Sequence, residues 1–256
     1  KTLLHEAIPI TGTIVSGTYG TFPNEGNIQN FTHGMFQSVY DYPYLSSSAN
    51  HIFDLTVGTS ANSALAVTSM AAKKDNIYNQ MAQVLSGYNK DGEIQNFDED
   101  GNIVDLGAKI NDALFVSFSR LLAKDEIKKG SFELELGVSS SYTDNLFGKR
   151  IKILDQGAAT SYKVNSPAGE YGILYTGSAA PYTDGTGGGL IYYEAGVAIL
   201  TASLFDGSFG APAATYDTSS IDAMLTGSEI SSSCDGFRNR LDDLDFNNTT
   251  ELNSTI

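Results

Sequence analysis

The 256-residue chain has no tryptophan, one cysteine, three histidines and six prolines. The single cysteine, Cys234, excludes a disulfide within the chain, and no base stands near it in the sequence to activate it as a nucleophile. The histidines, His5, His33 and His51, lack the paired spacing of a zinc site. Without tryptophan the chain also lacks the strongest platform for stacking on a sugar ring, although its tyrosines could serve.

Basic residues are few, with 15 lysines and arginines against 30 aspartates and glutamates and a formal net charge of −15. Nucleic acids and anionic membranes are bound through clustered lysine and arginine, so we expect neither as a partner. No stretch approaches the roughly 20 apolar residues of a membrane-spanning helix. The longest candidate, residues 189–205, contains Glu194 and is more typical of strands. Since the chain begins at Lys1 rather than methionine, we expect a segment to precede it.

The known patterns of catalytic sites are also missing. The chain has no G-x-S-x-G elbow, and the glycine-rich stretch TDGTGGG, residues 183–189, lacks the Lys-Ser/Thr pair of a P-loop. The sequence therefore predicts a protein that is not an enzyme and holds no cofactor. A hydrolase with two catalytic carboxylates remains an alternative, because the sequence does not place two acidic residues at a known separation.

Glycine, tyrosine and phenylalanine are plentiful, at 26, 14 and 13 residues, and they favour strands and turns. We divide the chain into four segments. These are a turn-rich N-terminal arm with strands (1–60), a helical pair with the first long strand (61–138), a β-rich region (139–227) and a polar C-terminal tail (228–256). We expect the tail to be mobile or partner-dependent, with at most one short strand.

Two helices are predicted in the second segment. Asp75 is expected to cap the first helix and Gly87 to end it. Its apolar face repeats at the helical period, at Ile77, Met81, Val84 and Leu85. The second helix is predicted at residues 108–128, closed by Gly130. Its apolar stripe and the cations of its last turn are Ile110, Leu114, Phe118, Leu121, Leu122, Lys128 and Lys129.

Alternation of apolar and polar residues predicts strands in the rest of the chain. They are expected at residues 51–57, 132–138, 150–155 and 170–176, and within 189–205. The charges between Lys124 and Glu135 are interpreted as framework, on exposed helix and sheet faces. The sequence thus predicts an α+β fold, a helical pair packed on a mostly antiparallel β-sheet, with a β-rich C-terminal half.

The stretch NFDEDGNI, residues 96–103, is the best candidate for a metal site. Asn96, Asp98 and Asp100 occupy the first three oxygen-ligand positions of an EF-hand loop, and Gly101 occupies its turn. The twelfth position is Gly107, so the bidentate glutamate that completes a calcium shell is missing. An Asp-Gly turn between two short strands explains the same residues and is the favoured interpretation; bound calcium is the alternative.

The stretch DYPYL carries a candidate interface. Tyr40, Tyr42 and Tyr44 alternate here, and tyrosine is enriched in protein interfaces whereas charged residues are depleted. An ordinary turn beside the core is the alternative interpretation.

Three stretches together carry a family resemblance: SANHIFDLTVG (48–58), NIYNQMAQVLSGY (76–88) and INDALFVSFSRLLAKDEIKKGSFELELGV (110–138). They resemble virion structural proteins of contractile-tailed phages that infect marine bacteria. The resemblance implies a non-enzymatic component of the virion tail, baseplate or neck, present in several symmetric copies beside other virion proteins. It carries over no functional residue. The alternative is a secreted or surface β-rich binding or adhesion module, which calcium at Asp98 and Asp100 would favour.

Overall fold

The computed structural model describes residues 2–11, 26–40, 42–64, 70–102, 107–118, 125–138, 148, 150–155, 157–176, 187–205 and 229–252. The strands are β1 (Thr2–Thr11), β2 (Ile28–Asn30), β3 (Gln37–Tyr40), β4 (His51–Thr59), β5 (Asp112–Phe118), β6 (Asp125–Ile127), β7 (Glu133–Gly137), β8 (Arg150–Leu154), β9 (Tyr171–Thr176), β10 (Gly187–Tyr192), β11 (Val197–Thr201) and β12 (Leu241–Leu252). The helices are α1 (Ala71–Leu85), α2 (Ala158–Ser161) and α3 (Ile230–Arg240), and a 3-10 turn spans Ala202–Phe205.

All twelve strands belong to one antiparallel sheet. Its order is β1-β12-β7-β8-β9-β10-β11-β5-β4-β3-β2, and β6 pairs with β12 beside this path. The sheet curls over its own core, because Phe118 on β5 meets side chains on or beside strands that lie five and six positions away in this order. Its ring lies 4.9 Å from Phe246 of β12 and 6.1 Å from Phe132, just before β7. The prediction of a mostly antiparallel sheet is therefore confirmed.

The strands predicted from alternating residues are present. In β4, Phe53, Leu55 and Val57 are buried, and the intervening Asp54 and Thr56 are half-buried. In β7, Leu134 is buried between the half-exposed Glu133 and Glu135, as expected for a sheet with one wet face. The predicted strands at 150–155 and 170–176 correspond to β8 and β9, and the apolar run 189–205 holds most of the β10–β11 hairpin.

Helix α1 confirms the first predicted helix with two corrections. It begins at Ala71, so Asp75 lies inside it and accepts a hydrogen bond from Asn79 at 3.2 Å instead of capping it. Val84 is 65% exposed and does not belong to the buried face. Gly87 ends the helix as predicted, with φ of 80° and its N–H donating to the carbonyl oxygen of Ala82 at 2.9 Å. No helix in the described ranges is long and apolar enough to span a membrane.

The second predicted helix is wrong in its described part. Residues 112–118 form β5, hydrogen-bonded between β11 and β4, and residues 125–127 form β6; Leu121 and Leu122 lie outside the described residues. The cause is burial on both faces of a central strand. Tyr78 of α1 packs on Phe115 from one side, whereas Phe118 meets Phe246 on the other. The sequence of a strand that is covered on both sides is a continuous apolar run. Such a run also contains apolar residues at helical spacing, so it can be mistaken for the apolar stripe of a helix.

The C-terminal segment, expected as a mobile or partner-dependent end, contains more secondary structure than the one short strand predicted for it. It forms α3 and the twelve-residue β12, which pairs with β1 along one edge and with β7 and β6 along the other. Apolar residues at helical and then alternating spacing anchor it in the core. The buried ones are Ile230, Cys234, Phe237, Leu241, Leu244 and Phe246.

Asp155, directly after β8, fixes the turn that leads into β7. Its carboxylate accepts the backbone N–H groups of Gly130 and Phe132 at 2.8 and 2.9 Å and the hydroxyl of Tyr193 at 3.0 Å. The residue is 1% exposed. Burial raises the pKa of Asp155, and the hydrogen bonds from Gly130, Tyr193 and Phe132 oppose this shift. One carboxylate thus joins the turn, β8 and the end of β10.

Replacing Phe246 tests whether the C-terminal segment is part of the core. Phe246→Ala should lower the free energy of unfolding by about 3 to 5 kcal/mol, because the ring fills the space between Phe118 and Phe132. Denaturant unfolding measures the change. The control, Val84→Ala on the exposed face of α1, should change it by less than about 0.5 kcal/mol. Equal stability of the two variants would contradict a packed C-terminal segment.

A second substitution tests the role of Asp155. Asp155→Ala leaves two backbone N–H donors and the Tyr193 hydroxyl without this acceptor, so we expect a loss of about 3 kcal/mol in the free energy of unfolding. Asp91→Ala, in an exposed turn, is the matched control and should be nearly neutral. Thermal and urea unfolding should agree; a stable Asp155→Ala protein would show that the turn has no need of this carboxylate.

Candidate interaction surface

The turn between β3 and β4 places three large apolar side chains in solvent. Tyr42 is 58% exposed, Tyr44 36% and Leu45 85%. These three residues are called the tyrosine patch below. Solitary exposed apolar residues are common on protein surfaces, but three within four positions of one turn form a group that a partner could cover.

Backbone hydrogen bonds hold this turn in a defined shape. The N–H of Tyr44 donates to the carbonyl oxygen of Gly26 at 2.8 Å, which ties the turn to the segment before β2. Within the turn, Ser46 N–H donates to Pro43 at 2.7 Å and Ala49 N–H to Ser46 at 3.2 Å. A surface that is ordered before binding loses less conformational entropy on association.

Tyr40 forms the base of the patch and is only partly exposed. Its ring lies 6.1 Å from that of Tyr44 and 5.2 Å from that of His51, and its hydroxyl donates to Gln29 at 2.9 Å. His51 in turn lies 2.7 Å from the carboxylate of Asp54. Of the predicted tyrosines, Tyr40 and Tyr44 are therefore in ring contact, and Tyr42 stands in solvent on the same turn.

Strand β1 offers a second type of surface. It is the end strand of the sheet order, and its ten residues pair with β12 alone in the described part of the chain. A strand at the end of a sheet can accept a strand from another chain. Pro9, paired with Asp245, has no N–H to donate to a neighbouring strand.

The structure brings together two of the three predicted metal-site residues. Residues 97–99 run antiparallel to 108–110, with Glu99 N–H donating to Ala108 at 3.1 Å. Asp98 accepts the N–H groups of Asp100 and Asn102, both at 3.1 Å, and its other oxygen contacts Lys109 Nζ. Gly101 has φ of 74°, as a tight turn requires.

The third predicted ligand, Asn96, is half-buried just before Phe97. The paired segments on either side of the turn agree with the favoured strand-turn-strand interpretation, and residues 103–106 lie outside the described ranges. In the described ranges no three histidine, cysteine or acidic side chains converge as metal ligands. Calcium binding here stays a prediction.

Four described charges of the stretch 124–135 form ion pairs: Glu126, Lys129, Glu133 and Glu135. Lys129 lies 2.6 Å from Glu170 and 3.5 Å from Glu126, with its ammonium about 5 Å above the rings of Tyr162 (5.1 Å) and Tyr193 (5.2 Å). Burial lowers the pKa of Lys129, whereas the hydrogen bond to Glu170 raises it, and the net shift of this pKa is upward. Further pairs join Lys152 to Glu133 and Arg150 to Glu135 and Asp242. Glu126 belongs to strand β6, not to a helix face.

Sequence reasoning missed some exposed apolar residues. Leu45 belongs to the tyrosine patch, and its position directly after DYPY was the available signal. Val84, Tyr88 and Val164 are also 65%, 52% and 70% exposed. Val84 was assigned to the buried face of α1 from its spacing alone.

Comparison with known proteins adds no relative to these observations. No family model matches the chain, and neither a curated protein nor a solved structure matches it.

The exposed side chains of the tyrosine patch should contribute little to the stability of the fold. Tyr42→Ser combined with Leu45→Ser should change the free energy of unfolding by less than about 0.5 kcal/mol, because both side chains lie mainly in solvent. Tyr40→Ser should cost about 1 to 2 kcal/mol, since it removes two ring contacts and the bond to Gln29. Urea unfolding compares the three proteins. A large loss in the double variant would show that the patch is a core element.

Proposed function

We propose that this chain is a non-enzymatic structural subunit of a tailed-phage virion, in the tail, baseplate or neck, and that it acts through contacts between subunits. The observation that carries the proposal is the tyrosine patch, a hydrogen-bonded turn that holds Tyr42, Tyr44 and Leu45 in solvent. The resemblance of residues 48–138 to virion proteins is the reason for proposing a virion as the assembly.

The chemistry of the patch suits an interface between proteins. Tyrosine is enriched among the residues that dominate binding energy, because it buries a large ring and loses little conformational freedom. Leu45, at 85% exposure, would transfer most of its apolar surface from water on association. The patch is small, so it would form the centre of a contact and the surrounding turn its rim.

Strand β1 supports the same role by a second mechanism. Strand addition at the end of a sheet joins subunits through main-chain hydrogen bonds, which need no particular side chains. Its ten residues exceed the commonest strand length in globular proteins, about five to six residues. In an isolated protein a long end strand can pair with other chains and cause aggregation. In a protein that assembles, the same strand can pair with a neighbouring subunit.

The net charge of −15 sets the conditions for assembly. Like-charged copies repel, whereas apolar contacts are unaffected by screening. Salt at 0.1 M reduces the range of the repulsion to about 10 Å. Self-association through the tyrosine patch should therefore strengthen as sodium chloride is added, and association with a basic partner should weaken.

Native mass spectrometry and light scattering of the purified chain test the proposal. We expect an oligomer of defined copy number, favoured by protein concentration and by salt. The triple variant Tyr42→Ser, Tyr44→Ser, Leu45→Ser should remain folded and monomeric. The matched control, Val84→Ser with Tyr88→Ser, removes exposed apolar groups from another surface and should assemble like the wild type.

Other results would contradict the proposal. A chain that stays monomeric at every concentration and salt level, and whose melting temperature rises with calcium, would be the binding or adhesion module instead. Glycan hydrolysis that a single carboxylate substitution abolishes would make it an enzyme. Loss of assembly in the Val84 and Tyr88 control alone would move the interface away from the tyrosine patch.

A further inference from the structure

Strand β1 is joined to the sheet in a different way from most other strands. From β2 to β5 and from β7 to β11, strands that are consecutive in the sequence are also neighbours in the sheet. By contrast, β1 lies at one end of the strand order and β2 at the other. In the described part of the chain β1 pairs with β12 alone, so this pairing is what connects it to the other strands.

The position of β12 does not depend on β1. On its other edge β12 pairs with β7 through residues 241–245 and with β6 through residues 248–250. Its side chains Leu241, Leu244 and Phe246 are buried in the core. If β1 left, one edge of β12 would be open to a strand of matching sequence. The β1 strand of a second copy matches by definition, because the register between the two sequences already exists within the chain.

The chain between β1 and β2 is long enough for such a move. Residues 12–27, sixteen in all, lie between Thr11 at the end of β1 and Ile28 at the start of β2. Sixteen residues can span at most roughly 55 Å. A globular domain of this length has a radius of gyration of about 18 Å. While still attached to its own subunit, β1 can therefore reach a neighbouring subunit that is in contact with it.

We propose that, in the assembled protein, β1 leaves its own sheet and pairs with β12 of a neighbouring copy. This exchange rests on the proposed assembly role and names a second copy of this chain as the partner. The register stays the same, from Thr2 opposite Leu252 to Thr11 opposite Asp243. Each hydrogen bond lost within a chain is thus regained between chains. Strand addition at the outer edge of β1, in contrast, leaves β1 on its own β12.

Assembly decides which of the two pairings of β1 prevails. A tether of this length holds β1 near its own β12 at an effective concentration of about 1 mM. In unassembled protein at about 10 µM, roughly one chain in a hundred would therefore exchange. In an oligomer the β12 of a neighbour is also held close to β1, so the two pairings compete on similar terms. Separating exchanged subunits would require removing a strand as well as breaking the surface contact.

Disulfide trapping in the full chain tests the exchange. Thr11→Cys and Asp243→Cys are placed in separate chains, which are mixed, assembled in salt and oxidised. Directly opposite residues of antiparallel strands have Cβ atoms about 4.5 to 5.5 Å apart, close to the separation in a disulfide. Exchange brings the two cysteines together across the subunits. We expect at least about tenfold more linked chains in the oligomer than in unassembled protein at about 10 µM.

A second pair and a control complete the experiment. Opposite pairs alternate between close and wide spacing, so Glu6→Cys with Asn248→Cys repeats the test at the other spacing. The control is Glu135→Cys with Lys152→Cys, opposite each other on β7 and β8. Placed in one chain, the control cysteines should form a disulfide within it; placed in separate chains, they should give only background linkage. Peptide mapping distinguishes the designed disulfides from any that involve the buried Cys234.

The outcomes separate strand exchange from the role of the tyrosine patch. An oligomer whose designed cysteines, placed together in one chain, link only within that chain would overturn the exchange and leave the assembly role standing. Linked chains, together with normal assembly of the triple patch variant, would overturn the patch and support the exchange. If the chain stays monomeric, the mixture is oxidised at about 1 mM, where roughly half of the chains should exchange. Background linkage at that concentration would overturn the exchange.

Discussion

The position of β12 between β1 and β7 is the constraint on which the rest of the structure depends. Each edge of this strand is hydrogen-bonded to a neighbour, and its buried residues form one wall of the core. Without it, the inner edges of β1 and β7 would lose their partner, and Phe118 and Phe132 would lose the ring of Phe246. Strand β12 therefore completes a core whose described side chains start at Ile28 in the sequence.

Helix α3 delivers the chain to that position with its charges buried. Arg238 lies 3.0 Å from Asp235, which accepts a hydrogen bond from Gln37 of β3 at 2.7 Å. Arg240 donates to the carbonyl oxygen of Gly137 at the end of β7, at 3.0 Å. Buried charges require such partners, so the polar residues that look like a solvated tail are internal connections between α3, β3 and β7.

The local part of the fold could be predicted from the sequence. The alternating leucines and glutamates of β7 predict a strand. The 3.6-residue period of apolar residues and Gly87 predict α1. The C-terminal segment also carried a signal, because Ile230, Cys234 and Phe237 recur at helical spacing. It was hidden by the many serines, aspartates and asparagines around it. Strand β5 was mistaken for a helix because its burial depends on partners that come from distant parts of the chain.

The candidate sites show the same division. The tyrosines of DYPYL could be chosen from residue type and spacing, whereas the separate roles of Tyr40 and Tyr42 depend on the packing of His51 and Gln29. The pairing of Asp98 with Lys109 could not be predicted, since it follows from the antiparallel meeting of two segments. In an Asp-x-Asp-Gly loop the carboxylate oxygens accept backbone N–H groups whether a metal ion or a lysine lies beside the loop. The motif alone therefore does not tell which of the two cations the carboxylates bind.

The acidic surface explains why short-range contacts would decide how this protein associates. Several of its 15 basic residues already take part in contacts within the protein. These are Lys109, Lys129, Arg150, Lys152, Arg238 and Arg240. Five of these six pair with an acidic residue, so the pairing leaves the net charge of −15 unchanged, and the field of that charge repels a second copy at a distance. Attraction between copies would then have to come from groups that act only on contact. The tyrosine patch is an uncharged surface of that kind, and backbone hydrogen bonds hold its turn in shape.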